Sequence, residues 1–300
     1  MKIKNSNNSL KLGITVPVAF VCVIVFSVLR AVQMAVFIDS ETGFFEGGSA
    51  FNVLFYALLA VCCLFFAVVS FLSSDGKKVD LVCLKDKNAA VTSIIFAVGL
   101  LYDWLDSFFE SSVIFGGITE VAYLKRSEAF KLLMSSGALP YALQSVFALL
   151  AAIYVFILAK SFLKGTPSAH KHRLLAITPI AWAGFKMITR FVKQISYIKV
   201  SDLFLELIML AFMMMFFVAL SQVVSGVYCD DSRWRITAFG FSGAVIALSL
   251  NIPRLIFTFI SGELINKEYP FSIGDAFFGI FALFIGIAAV KSVKSRIEEK

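Results

Sequence analysis

From Ala50 to Leu72 the chain carries not one charged residue. A helix over that stretch is about 35 Å long at about 1.5 Å per residue, enough to cross a hydrocarbon core about 30 Å thick. Similar runs recur along the 300 residues, which are 59% hydrophobic and 16% charged, with a mean hydropathy of +0.88. A soluble globule carries about 25% charged residues and must turn part of its surface to water, so this chain is too apolar for one. In lipid every backbone N–H and C=O must be satisfied within the protein, and for runs of this length the helix does that.

The expected fold is an all-α integral membrane protein, one transmembrane domain over residues 1–300 built as a bundle of about eight helices. The spans read as Lys11–Phe37, Ala50–Leu72, Ala89–Phe115, Leu139–Leu163, Leu174–Tyr197, Asp202–Tyr228, Ile236–Ile260 and Ser272–Val293. Seven is the alternative count, because the third span carries Asp103, Asp106 and Glu110. The first span is too long for a signal-peptide core and is read as an anchor. Residues 120–138 mix Val121, Leu124, Leu132 and Leu133 with Lys125, Arg126 and Lys131, the pattern of an amphipathic segment lying on the outer face. Lys78–Asn88 reads as a shorter interfacial segment on the cytoplasmic side.

Basic residues crowd one set of span ends, among them Lys2, Lys4, Lys77, Lys78, Lys164, Lys171, Arg173, Arg233, Arg235, Lys294 and Arg296. The opposite loops hold Lys125, Arg126, Lys131, Lys199 and Lys267. This asymmetry predicts a multi-pass protein of the cell membrane with both termini cytoplasmic. Tyr141, Tyr197, Tyr269 and Trp234 fall at predicted interfaces. The formal net charge of +7 is spread over these short clusters rather than over one basic face, so no nucleic-acid partner is expected. The partners expected are the lipid bilayer and a small ligand.

A charge near the middle of a span costs at least about 2.5–3.5 kcal/mol. This chain places Arg30, Asp103, Asp106, Glu110, Lys186, Arg190, Lys193, Glu206 and Arg254 within spans. Arg30, Asp103, Arg190 and Arg254 each fall about 15–20 residues into an outward-running helix, hence at one depth in the outer half of the membrane. Asp103, Asp106 and Glu110 follow i, i+3, i+7 spacing, and Lys186, Arg190 and Lys193 follow i, i+4, i+7 spacing. Each set therefore occupies one helix face, and the two stripes are expected to meet. Arg30, Glu110 and Lys193 are also near enough to a span end to snorkel toward the interface. Asn251-Ile252-Pro253-Arg254 adds a proline that frees the Ser249 carbonyl and predicts a kink beside polar groups. Asp202 and Asp275 read as first-turn acids that complement helix dipoles.

Pro17 with Arg30, and Pro179 with Arg190, suggest repeated helical hairpins, as in transporter folds. The only histidines, His170 and His172, lie in a predicted cytoplasmic loop, which excludes a bis-histidine haem within the membrane. Cys22, Cys62, Cys63, Cys83 and Cys229 show no CxxC spacing, so neither a disulfide framework nor a zinc site is expected. Gly240-Phe241-Ser242-Gly243 matches the GxSG of a serine protease, but no histidine follows it; small residues there suit close helix packing. No cofactor is implied.

The reading is a transporter-type protein that binds a small anionic or zwitterionic solute or lipid headgroup in an outward-facing polar cavity between spans 1, 3, 5 and 7. The ligand-binding candidates are Arg30, Asp103, Asp106, Lys186, Arg190, Asn251 and Arg254. The alternatives are a non-enzymatic scaffold or sensor with structural ion pairs and, more remotely, an intramembrane aspartyl protease using Tyr102-Asp103 and Ser272-Ile273-Gly274-Asp275.

Overall fold

The computed structural model describes residues 2–37, 50–73, 85–117, 126–166, 168–192, 200–226, 232–261 and 271–298. Of the described residues 94% are helical, and eight of the helices they form are long and apolar enough to cross a membrane. In chain order they are α1 (Lys2–Val36), α2 (Ala50–Leu72), α3 (Lys87–Gly117), α5 (Ala138–Lys164), α6 (Thr178–Val192), α7 (Val200–Val224), α8 (Ser232–Ser261) and α9 (Ile273–Glu298). A short α4 (Arg126–Ser135) lies between α3 and α5, and a 3₁₀ stretch, Ser168–Ile177, leads into α6. An even number of crossings puts the start of α1 and the end of α9 on one side, here the termini side; the opposite is the far side.

The third helix is therefore long enough to be a full span, and the count among the described residues is eight. The fifth is shorter than its sequence reading: its first residues are drawn into the 3₁₀ stretch, and α-helix begins at Thr178 with Pro179 in the first turn, where proline's missing N–H costs nothing. The amphipathic segment expected over 120–138 is helical over Arg126–Ser135. Most of the expected segment 78–88 lies outside the described residues, as do Lys193, Tyr197, Tyr269 and the side chain of Asp202.

Sequence-local chemistry sets several helix ends. Asp86 accepts from the Asn88 and Ala89 amides at 2.9 and 3.2 Å, capping α3, and its second oxygen is 3.2 Å from Lys291 Nζ on α9. Gly165, with φ +65°, closes α5 in the left-handed region and donates to the Ser161 carbonyl.

Packing follows the membrane rule that small residues let helices approach. α3 and α5 pack together, and both carry small buried residues, Ala89, Ala90, Ser93 and Ala97 on α3 and Ala148, Ala151 and Ala152 on α5. Ser145 Oγ donates across this seam to the Trp104 carbonyl. The Gly240-Phe241-Ser242-Gly243 turn of α8 is part of a second seam. A methyl group on Gly240 would sit 3.2 Å from the Ala282 carbonyl oxygen, and on Gly279 of α9 it would sit 2.8 Å from Leu248. The central core is aromatic: Phe96 stacks on Phe281 and Phe217, with centroids 5.0 and 5.8 Å apart, and edges onto Trp182 and Phe278. By contrast α1 and α2 turn apolar side chains such as Val21, Ile24, Val53, Val61 and Leu64 outward, as lipid-facing helices do.

Gly286 of α9 tests this seam, because a methyl group there would lie 2.9 Å from the buried Phe241 ring. Gly286→Leu is expected to cost about 1–3 kcal/mol through overpacking. Gly13→Leu, where nothing lies within 4 Å, should be near neutral. Thermal melts of the purified variants in detergent check the difference.

Candidate functional site

Lys186, on α6, sits between two carboxylates. Its Nζ lies 2.8 Å from Asp103 Oδ2 of α3 and 2.7 Å from Asp275 Oδ1 of α9, and donates to Ser272 Oγ at 3.2 Å. The Trp182 ring, one turn back on α6, lies 5.1 Å from the ammonium, a cation–π contact. All three charged residues are buried. Ser272 stands at the N-cap position of α9 and accepts from the Asp275 amide at 3.4 Å.

This geometry requires α3 and α9 to touch. They do so at Gly99 and Gly274: a methyl group on Gly99 would lie 3.2 Å from Gly274 Cα, and one on Gly274 would lie 2.7 Å from Asp103 Oδ1. Any larger residue at 274 would occupy the space the carboxylate takes.

Beside this group a second one forms on α7. Glu206 is paired with Arg190 Nε at 3.1 Å through one oxygen and with Arg254 Nη1 at 2.5 Å through the other. Together the groups contain, among the described residues, three carboxylates, Asp103, Asp275 and Glu206, against three cations, Lys186, Arg190 and Arg254. Desolvating each ion costs several kcal/mol, and such a layer is stable only when the charges cancel and hydrogen-bond.

Over the layer, at the far side, lies a cavity of about 160 Å³. It is lined from α3 by Tyr102, Asp103, Asp106 and Glu110, from α5 by Tyr141 and Gln144, and from α6 by Lys186, Thr189 and Arg190. Phe271 and Ser272 close it in front of α9. Tyr102, Asp106 and Glu110 are exposed and form its mouth. Toward the termini side, Phe96 lies seven positions before Asp103 on α3, about 10 Å along the axis, so the fully buried aromatic core seals the cavity from below.

Of the seven residues expected to bind ligand, Asp103, Asp106, Lys186 and Arg190 line this cavity, while Arg30, Asn251 and Arg254 do not. Arg30 is fully buried rather than snorkelling and packs with Gln33 and Asn52 where α1 meets α2; Gln33 Nε2 donates to Asn52 Oδ1 at 2.8 Å. Asn251 spends its amide nitrogen on the Ala247 carbonyl of its own helix, at 2.9 Å. Arg254 is held in the layer beneath by Glu206. Helical structure runs through Pro253, so α8 offers no unwound backbone there. The cavity is built by spans 3, 4, 5 and 8 rather than 1, 3, 5 and 7. Tyr141 belongs to it.

Two buried acids were assigned weaker roles by sequence than they hold. Asp275 is in a first helical turn, as expected, but its carboxylate is committed to Lys186. Glu206 was legible as an acid within a span, and the two cations that share it are what sequence could not show. The protease alternative loses its geometry: Asp103 and Asp275 do converge, yet the space between them holds the Lys186 ammonium. Among the described residues no group of three or more His, Cys, Asp and Glu is placed to hold a metal ion.

Comparison with known family models, with curated proteins and with solved structures found no match for this chain.

Removing one member of a buried ion group leaves the rest uncompensated, at about 3–5 kcal/mol. Lys186→Met should therefore lower the melting temperature in detergent steeply. The triple variant Lys186→Met, Asp103→Asn, Asp275→Asn should recover most of it, because the charge is removed in balance. Equal losses in the single and triple variants would mean that packing, not charge, dominates here.

Proposed function

We propose that this multi-pass membrane protein binds a small charged solute in the far-side cavity and moves it across the membrane. The observation that carries the reading is a polar cavity set on a charge-balanced layer and sealed from the other side by Phe96, Trp182, Phe217, Phe278 and Phe281. A one-sided cavity over a dry seal is half of an alternating-access cycle. The distribution of Lys and Arg favours cytoplasmic termini in the cell membrane, which turns the mouth outward. The sealed end would then have to open for release, and α3 and α9 are tied there by Asp86 and Lys291.

The cavity's free charge is acidic. Asp106 and Glu110 make no hydrogen bond or ion pair with any described residue, while Glu206 and the two aspartates already engage the cations. Contact with the solute is therefore assigned to Asp106, Glu110, Gln144 and Arg190. Lys186, Asp103, Asp275, Glu206 and Arg254 hold the floor.

A structural reading has its own observation, the neutrality of the layer, which packing alone could require. The two separate at the mouth. Asp106→Asn with Glu110→Gln changes only exposed groups, so stability should stay within about 0.5 kcal/mol of wild type. Under the transport reading, proteoliposomes with the double variant lose uptake of whichever radiolabelled amino acid, amine or carboxylate the wild type accumulates. Wild-type uptake by the variant, or no uptake of any of these by wild type, would count against it.

A further inference from the structure

Two carboxylates hold the Lys186 ammonium, and the cavity reaches one of them. Asp103 of α3 lines it, whereas Asp275 of α9 is outside its lining, and both are buried. Their electrostatic settings also differ. Asp275 contacts Lys186 at 2.7 Å and lies within the attraction of Arg190. Asp103 contacts Lys186 at 2.8 Å, has no other hydrogen bond among the described residues, and feels the like charges of Asp275 and Asp106. Of the two, Asp103 is the carboxylate held less firmly and the one reached from the far side.

Neutralising Asp103 would not strand the lysine. A buried cation without a counter-charge is costly, but the ammonium would keep Asp275, the Ser272 hydroxyl at 3.2 Å and the Trp182 face. What would be lost is the ionic tie of α3, while α6 and α9 stay joined through Lys186 and Asp275. α3 carries Phe96, at the centre of the aromatic seal, and at its termini-side end Asp86, which pairs with Lys291 of α9. A single event at Asp103 thus acts on the helix that bears both the seal and the tie below it.

The approach to Asp103 is acidic. Asp106 and Glu110 stand at i+3 and i+7 on the same face, exposed at the mouth, and a cleft lined by one sign of charge concentrates the opposite ion, here the proton. The other titratable and charged groups around Asp103 are Tyr102 of its own helix, Tyr141 of α5, and Lys186 and Arg190 of α6, with Asp275 on α9. Behind Arg190 stands Glu206 of α7, which Arg254 of α8 also pairs.

We infer that Asp103 binds a proton delivered through the far-side cavity, and that its neutralisation frees α3 from α6 and α9. The proton leaves a hydronium in the cavity as water and forms an O–H bond on the Asp103 carboxylate; Lys186 keeps its own protons and its contact with Asp275. The proton is then the coupling ion of transport, a role that rests on the reading of this protein as a transporter, whereas the proton site stands on the geometry alone.

The test takes the purified full chain in detergent, with no solute added, from about pH 8 to about pH 5, the range in which physiological proton switches work. Infrared difference spectra are expected to show the carbonyl band of a protonated carboxylic acid appearing in wild type. The band should persist in Asp106→Asn with Glu110→Gln, which removes only exposed groups, and disappear in Asp103→Asn. Over the same range the amides of α3 in wild type, corrected for the intrinsic pH dependence of exchange, should exchange at least tenfold faster, while those of α6 and α9 change little. The exchange measurement needs no variant, so it decides even where Asp103→Asn fails to fold. No band in wild type, a band that Asp103→Asn retains or that the mouth variant loses, or α3 exchange that acid leaves unchanged overturns the inference. Uptake of radiolabelled amino acids, amines and carboxylates into proteoliposomes separates the two readings. Uptake by wild type without the α3 response removes the proton site and leaves transport standing. The α3 response without uptake of any of these removes transport and leaves the proton site. Uptake that an imposed pH gradient does not drive removes the proton as coupling ion.

Discussion

Lys186 cannot face lipid, and the architecture of the far half of the bundle follows from where its charge is put. An ammonium in a low-dielectric surrounding needs opposite charge at contact distance, and here it takes two carboxylates from two other helices. That single demand brings α3, α6 and α9 to one point. It also explains Gly274, whose missing side chain is the space that Asp103 fills, and Gly99, where the two backbones pass. Ser272, capping α9, contributes an oxygen to the same ammonium, so the start of that helix is placed by the ion it helps to bind.

The same constraint extends to α7 and α8. Glu206 pairs with two guanidinium groups, and with it the charges of the described residues in the layer reach three of each sign. Five of the eight spans thus meet in one charge-balanced plane, and beneath it the packing becomes aromatic and dry. A bundle polar in one half of its centre and apolar in the other is asymmetric along its helix axes. The groups with charge to spare, Asp106 and Glu110, stand above the plane, where water can reach them.

Much of this was legible in the chain. Segments of twenty apolar residues allow one solution in lipid, and the eight helices run close to the expected positions, with Ala50–Leu72 matching at both ends. The stripes on α3 and α6 were visible as i, i+3, i+7 and i, i+4, i+7 patterns, and they meet through Lys186 and Asp103, whereas Arg190, placed by sequence at the depth of Asp103, pairs with Glu206. Other residues misled for physical reasons. Arg30 has the same depth as Arg190 and Arg254, but depth says nothing about azimuth, and α1 turns it toward Gln33 and Asn52. Asp275 was read as a dipole-complementing acid because it stands at a helix start; the overlap of α9 with α3 makes that start level with Asp103.

Sequence alone determined that this chain must be a helical membrane bundle carrying ionic groups that have to find each other, because burying a charge in hydrocarbon is costly wherever the helix goes. Tertiary structure decided which charges pair, since that depends on how each helix is rotated and staggered against its neighbours. Two glycines and a serine cap set that contact between α3 and α9. They decide that two aspartates 172 positions apart, from Asp103 to Asp275, close on one lysine.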